Sequence, residues 1–206
     1  MPPKTKKKGR SSHGPAPKGM NVSGFASLRL AFSAAVLGTL LWAPQTSAQG
    51  AATSAQTVTL GPSGLPLPRF VSLKSGRVNS RVGPGANYSV DWMYMKAGLP
   101  MEIIQEFDTW RRVRDADGSE GWINQSLLSG RRTAIVAPWQ RGKGGRINLL
   151  DDPDKDAGVV AILEPGVMGS IKKCDGQWCE MTFDGHTGWV AQSQVWGAYP
   201  GEKVKN

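Results

Sequence analysis

Short runs in which apolar and polar residues alternate occupy residues 70–73, 77–81, 90–95, 101–107, 110–115 and 121–124. Alternation with a period of two marks a half-buried strand, and the breaks between these runs hold the residues that turns need. Gly83-Pro84-Gly85-Ala86-Asn87 has to be a loop, Gly98 and Pro100 turn the chain again, Asp108-Thr109 suits a tight turn, and Asp117-Gly118 is a hairpin signal. No helical period lasts longer than a turn in this region. Short strands joined by tight turns predict a small all-β barrel of about five antiparallel strands.

The same order of features returns further along. Asp117-Gly118-Ser119-Glu120-Gly121-Trp122 recurs as Asp184-Gly185-His186-Thr187-Gly188-Trp189, 67 residues later. Val78-Asn79 matches Ile147-Asn148 at a spacing of 69, Gly98 matches Gly166 at 68, and Trp110 and Val113 match Trp178 and Met181 at 68. A register that drifts by two residues, each slip falling in a turn, identifies tandem copies of one unit. The expected organisation is a barrel over residues 69–130, a second over 131–199 that begins with a basic linker, and a tail over 200–206.

What precedes the first barrel changes the meaning of the charge. Residues 1–29 carry seven cations and no acid, residues 30–42 are almost wholly apolar, and Thr46, Ser47 and Ala48 are small. That order is the order of a secretory signal peptide, and the 13-residue apolar run is too short to span a bilayer. Residues 1–48 are therefore expected to be removed, with a cut after Ala48 or, second, after Gly50. Met20 would make a more ordinary start, so 1–19 could be an artefact of the start site or a basic arm. Residues 49–68, rich in Ala, Gly and Pro, read as a tether. Of the 25 basic residues seven precede residue 49, leaving 18 against 16 acidic ones in the mature chain. The net +9 of the whole chain thus falls to +2, and the electrostatic case for nucleic acid leaves with the leader. Export predicts a periplasmic or secreted protein with no membrane span in its mature part.

With the repeat in view, several strings resemble one family. Arg77-Val78-Asn79-Ser80-Arg81-Val82-Gly83-Pro84-Gly85, Trp110-x-x-Val113, and Gly118-x-x-Gly121-Trp122-Ile123 with Ser126-Leu127-Leu128 are similar to the bacterial SH3-like domain. The resemblance covers residues 70–129, and a looser copy covers about 133–197. In that copy Ile147-Asn148-Leu149-Leu150 lacks both arginines and Asp151-Asp152-Pro153 stands in place of Val-Gly-Pro. The resemblance implies two tandem SH3-like barrels in an exported protein that binds peptidoglycan, or a protein partner in the periplasm. No hydrolase segment accompanies them.

Candidate chemistry is sparse. Cys174 and Cys179 fall opposite Glu106 and Arg111 of the first copy, residues that flank a hairpin turn, so the two thiols are expected to form a disulfide across adjacent strands. Five-residue spacing with His186 as the one mature histidine does not suit zinc. His186 sits in a hairpin turn several residues from Cys179, so no catalytic pair is expected and the protein reads as non-enzymatic, without metal or cofactor. The acidic run from Asp152 to Asp156 puts glycine and glutamate one place late for a calcium loop and reads as an exposed loop. The basic linker holding Arg131, Arg132, Arg141, Lys143 and Arg146 is either a patch for an anionic polymer or a solvated rim. Tryptophans that recur in both copies read as framework. Trp92 and Met95, set against Val160 and Leu163, read as interior. Tyr88, Tyr94 and Trp139 have no aromatic counterpart, and with Arg81 and Trp92 they are the candidate ligand residues of a shallow groove for the peptide stem of peptidoglycan, a periplasmic protein partner being the alternative.

Overall fold

The computed structural model describes residues 59–206; the expected signal peptide over 1–48 and the first part of the expected tether, 49–58, lie outside them. A small hairpin comes first, β1 (Thr59–Leu60) paired with β2 (Pro66–Leu67). The first large sheet then uses β3 (Arg69–Leu73), β4 (Val78–Arg81), β5 (Val90–Tyr94), β6 (Pro100–Phe107), β7 (Trp110–Arg114), β8 (Glu120–Asn124) and β9 (Leu128–Ser129). The second uses β10 (Thr133–Val136), β11 (Ile147–Leu150), β12 (Val159–Leu163), β13 (Met168–Cys174), β14 (Trp178–Phe183), β15 (His186–Ala191) and β16 (Val195–Trp196), with β17 (Val204–Lys205) added beside β13.

Strand order is β5-β4-β8-β7-β6-β3-β9 in the first sheet and β12-β11-β15-β14-β13-β10-β16 in the second, and all the pairings are antiparallel. Position for position these are one topology. A single 3₁₀ turn leads into the last strand of each copy, at Gln125–Leu127 and at Gln192–Gln194. Over the described residues the chain is all-β, two tandem SH3-like units of the kind the repeat predicted.

Each unit closes on its own aliphatic core. Val78, Met101, Ile103, Val113 and Ile123 are all but inaccessible in the first, and Ile147, Leu149, Ile171, Met181 and Val190 in the second. Alternation puts one face of each strand here and the other toward solvent, which is why Trp110, Trp122, Trp178 and Trp189 are only half-buried. The Gly-Trp signature has a steric origin. A Cβ on Gly121 would overlap the Ser80 hydroxyl, and one on Gly188 would come within 2.5 Å of the Leu150 carbonyl, so β8 and β15 can lie close to β4 and β11 only with glycine there. The two Asp-Gly turns are not equivalent. Asp184 and Gly185 both have positive φ and make a two-residue turn of type I′ character between Phe183 and His186. The Asp117-Gly118 turn is wider, spanning 115–119, and Asp115 organises it by accepting from the Asp117 and Ser119 backbone N–H groups.

Cys174 and Cys179 are Cα partners and are bonded to each other; Glu106 and Arg111 are Cα partners at the equivalent place and form an ion pair at 3.1 Å. Two segments behave differently from the expectation. The described end of the tether folds back as the β1–β2 hairpin and is strapped to the first unit, because Ser63 donates twice to the Glu106 carboxylate, which also takes Arg69 at 2.6 Å. Residues 200–206 are not a free tail: Val204 is buried in the second core and β17 pairs with β13.

Candidate functional site

Arg81 stands where three strands meet. It pairs with Val90 of β5 on one side and Trp122 of β8 on the other, and its guanidinium donates to the Tyr88 carbonyl at 2.6 Å. The loop between β4 and β5 is held by that bond and by Val82 N–H to Ser89 O, and the Tyr88 ring lies flat on the backbone of Gly83 and Gly85. A Cβ on Gly83 would overlap that ring, so the glycine is needed for close approach. Tyr88 and Trp92 are each a little under half exposed; Arg81 holds Tyr88 directly, while Trp92 is the Cα partner of Ser80, the residue before Arg81 on β4. Trp139 is also exposed, on a 3₁₀ turn of the second unit at Pro138–Gln140.

Tyr94 is not exposed as Trp92 is. It is a core residue, and its hydroxyl bonds Asp115 at 3.1 Å. Burial, then the Asp115 charge and hydrogen bond, push its pKa well above the ordinary tyrosine value. The error has a definite source. Val78 pairs with Tyr94 as Ile147 pairs with Leu163, so the spacing of 69 persists through the strand and falls to 68 only at the turn before Gly98. Tyr94 therefore answers to Leu163 and Trp92 to Ala161. A slip of one residue exchanges the faces of a strand, and it turned Met95, which is 68% exposed, into an expected interior residue.

A site that the single copies do not reveal lies between the units. Phe70 packs edge-on against Trp196, with centroids 5.0 Å apart, and against Tyr199 at 4.7 Å. Arg132 lies over the Phe70 ring and ion-pairs with Glu202 at 2.7 Å. The Tyr199 hydroxyl donates to Glu102, Thr133 Oγ1 donates to the Gly98 carbonyl, and Arg141 reaches Asp117. Burial first, and then the bond to Glu102, raise the Tyr199 pKa well above its usual value, so the hydroxyl remains the donor. Beside this contact a cleft of about 580 Å³ opens, with Ser72 and Lys74 from the first unit, Arg131 from the linker, and Ser170, Thr182 and Asp184 from the second. Its walls combine hydroxyls, backbone, two cations and one carboxylate with the apolar side chains of Leu73, Ala97 and Met168. Such a surface can hold a short, polar ligand bearing a carboxylate, and it exists only because the two units are locked together.

Groups that could do covalent chemistry are dispersed. Both cysteines are consumed in the disulfide, and His186 sits beside the tip of the β14–β15 hairpin. Among the described residues, no three His, Cys, Asp or Glu side chains are grouped to hold a metal ion, and no helix is long and apolar enough to cross a membrane.

No curated protein matches the sequence. Two solved structures from Trichomonas vaginalis, NlpC2 and NlpC1, are similar at 12% and 13% identity, each with a TM-score of 0.27. The matched region takes in 63% and 62% of this chain, and 48% and 45% of theirs, so the chain spans about half the length of each. The family model for the bacterial SH3 domain matches residues 74–130 and again 143–197. Those segments fall on the two sheets of identical strand order, and the chain belongs to the bacterial SH3 domain family, with two copies of the domain in tandem.

Proposed function

We propose that this is an exported, non-enzymatic binding module that recognises cell-wall peptidoglycan through its peptide stem. The observation that carries the reading is the cleft between the two domains. A peptide stem offers amides and free carboxylates, and the cleft offers Lys74 and Arg131 for a carboxylate, Asp184 for an amine, and hydroxyls from Ser72, Ser170 and Thr182 for the amides between them. The disulfide suits an oxidising compartment outside the cytoplasm. Arg81, Tyr88 and Trp92 supply a second surface on the first domain along which the same polymer could run.

Purified sacculi test this. The chain should sediment with them, and Lys74→Gln with Arg131→Gln should lower retention about ten-fold, because an exposed charge-assisted contact contributes up to roughly 1 kcal/mol each. Retention unchanged in that double variant removes the cleft from the site, and loss in Tyr88→Ala with Trp92→Ala moves recognition to the first domain's end face. A chain that never sediments sinks the peptidoglycan reading. The alternative is a periplasmic protein-protein adaptor, which one observation favours: the edge strands β5 and β12 expose Val90, Trp92 and Met93, and Val159, Val160 and Ile162. An open edge with apolar side chains is a surface that another protein can cover. Crosslinking would then trap one partner, and sacculi would not.

A further inference from the structure

The second domain carries a feature without counterpart in the first, built by the C-terminal strand. Cys174 of β13 pairs with Val204 of β17 and both are buried, so Lys173 and Lys205, paired one step away, face outward together. Lys203, two residues from Lys205, takes the same face. The cross-strand row continues away from β17: Lys173 pairs with Glu180 of β14, and Glu180 with Trp189 of β15. One outward face therefore reads tryptophan, glutamate, lysine, lysine across four strands.

The charges of this row do not balance. Glu180 is shared by Lys172 at 3.7 Å and Lys173 at 3.3 Å, and the Lys173 ammonium also lies 4.8 Å from the centre of the Trp189 ring. Asp175 is occupied in capping the Gln177 and Trp178 backbone N–H groups. Those bonds lower its pKa, so it stays ionised but is already committed. Among the described residues neither Lys203 nor Lys205 has a carboxylate within salt-bridge distance. Like charges placed directly across a strand pair repel, and here they border a pocket of about 390 Å³ whose wall is Trp189, with Cys174 and Val204 at its base and the committed Asp175 at its rim. In the first domain the same row is Trp122, Arg112 and Gln105, with no added strand and no lysine.

We infer that the pocket between β13, β15 and β17 is an anion site that takes a phosphate ester group, held by Lys173, Lys203 and Lys205 against Trp189. Three lysines lining one cavity, two of them without a carboxylate partner among the described residues, match the several oxygens and the double charge of a phosphate monoester, and the aromatic wall suits the sugar that would carry it. This ligand differs from a peptide stem, and the site lies apart from the interdomain cleft.

The full chain should be titrated with glucose 6-phosphate, inorganic phosphate and glucose at one ionic strength, following the Trp189 indole N–H and the Lys203 and Lys205 amides by NMR. Saturable shifts at these groups with both phosphates and none with glucose are expected. Tighter binding of glucose 6-phosphate than of inorganic phosphate identifies a phosphate borne on a sugar, and equal binding identifies free phosphate. Lys203→Gln with Lys205→Gln, both exposed and outside the core, should weaken binding about 25-fold at roughly five-fold per contact. Absence of saturable shifts, an equal response to glucose, or an unchanged dissociation constant in the double variant overturns the inference.

Discussion

Glu106 is the point at which a single atom exchange should do most damage. Its carboxylate is 1% exposed and receives the Ser63 N–H at 2.9 Å, the Ser63 hydroxyl at 2.8 Å, Arg69 at 2.6 Å and Arg111 at 3.1 Å. In Glu106→Gln one oxygen becomes an NH₂ donor facing donors, and two largely buried guanidiniums lose their shared counter-ion. Removing one partner from a buried ion pair costs about 3–5 kcal/mol. Arg111 keeps the carbonyls of Asp108 and Trp110 and the Gln125 side chain, so the lower end, about 3 kcal/mol, applies. With a urea m-value of about 2 kcal/mol/M the midpoint should fall by about 1.5 M. Ser63→Ala alone should cost about 1 kcal/mol and less in the Gln background, since one of the two oxygens that Ser63 bonds has become a donor. Burial by itself raises the Glu106 pKa, but the Ser63 N–H, Arg69 and the Ser63 hydroxyl outweigh it and hold it below the usual value. A depressed carboxylate stabilises the fold fully above its unfolded pKa of about 4.3, and the contribution is lost as pH falls through the folded value. The Gln variant should lack that part of the acid slope. A midpoint shift below about 0.3 M, or additive effects of the two substitutions, would refute the strap as an electrostatic latch.

Three further outcomes are expected. Cys174→Ser with Cys179→Ser should cost about 2 kcal/mol in thermal or urea unfolding, the chain-entropy value for so short a loop, while the native protein shows no titratable thiol. Phe70→Ala should uncouple the domains, so that one calorimetric transition separates into two; a single cooperative transition in the variant would deny that the aromatic contact joins them. Gly83→Ala should cost 1–3 kcal/mol or roughly that much through displacement of the Tyr88 ring, visible as faster amide exchange at residues 82–89.

Duplication, fold class and disulfide were all legible in the chain, because each leaves a local trace. Turn glycines recur at fixed spacing, alternation marks strands, and a pair of cysteines replaces an ion pair at the same register. Site residues were less legible. The Tyr94 assignment turned on one residue of register across β5, where no turn residue marks the slip, and the lost residue lies between Tyr94 and Gly98. Neither the strap on Glu106 nor the strand at Val204 has a local signal, since a two-residue strand is too short for a period and is made by its partner.

Taken alone, the sequence determined two copies of one small β-unit and the pairing of Cys174 with Cys179, since these depend on contacts only a few residues apart or on comparison of one copy with the other. Tertiary structure decided what joins strands distant along the chain. It brought Lys74 and Asp184 to one cleft, set Phe70 against Trp196 and Tyr199, and aligned Lys173 with Lys205. Those neighbours are far apart along the chain, and their meeting depends on how each domain's outward residues are left over once its core is filled.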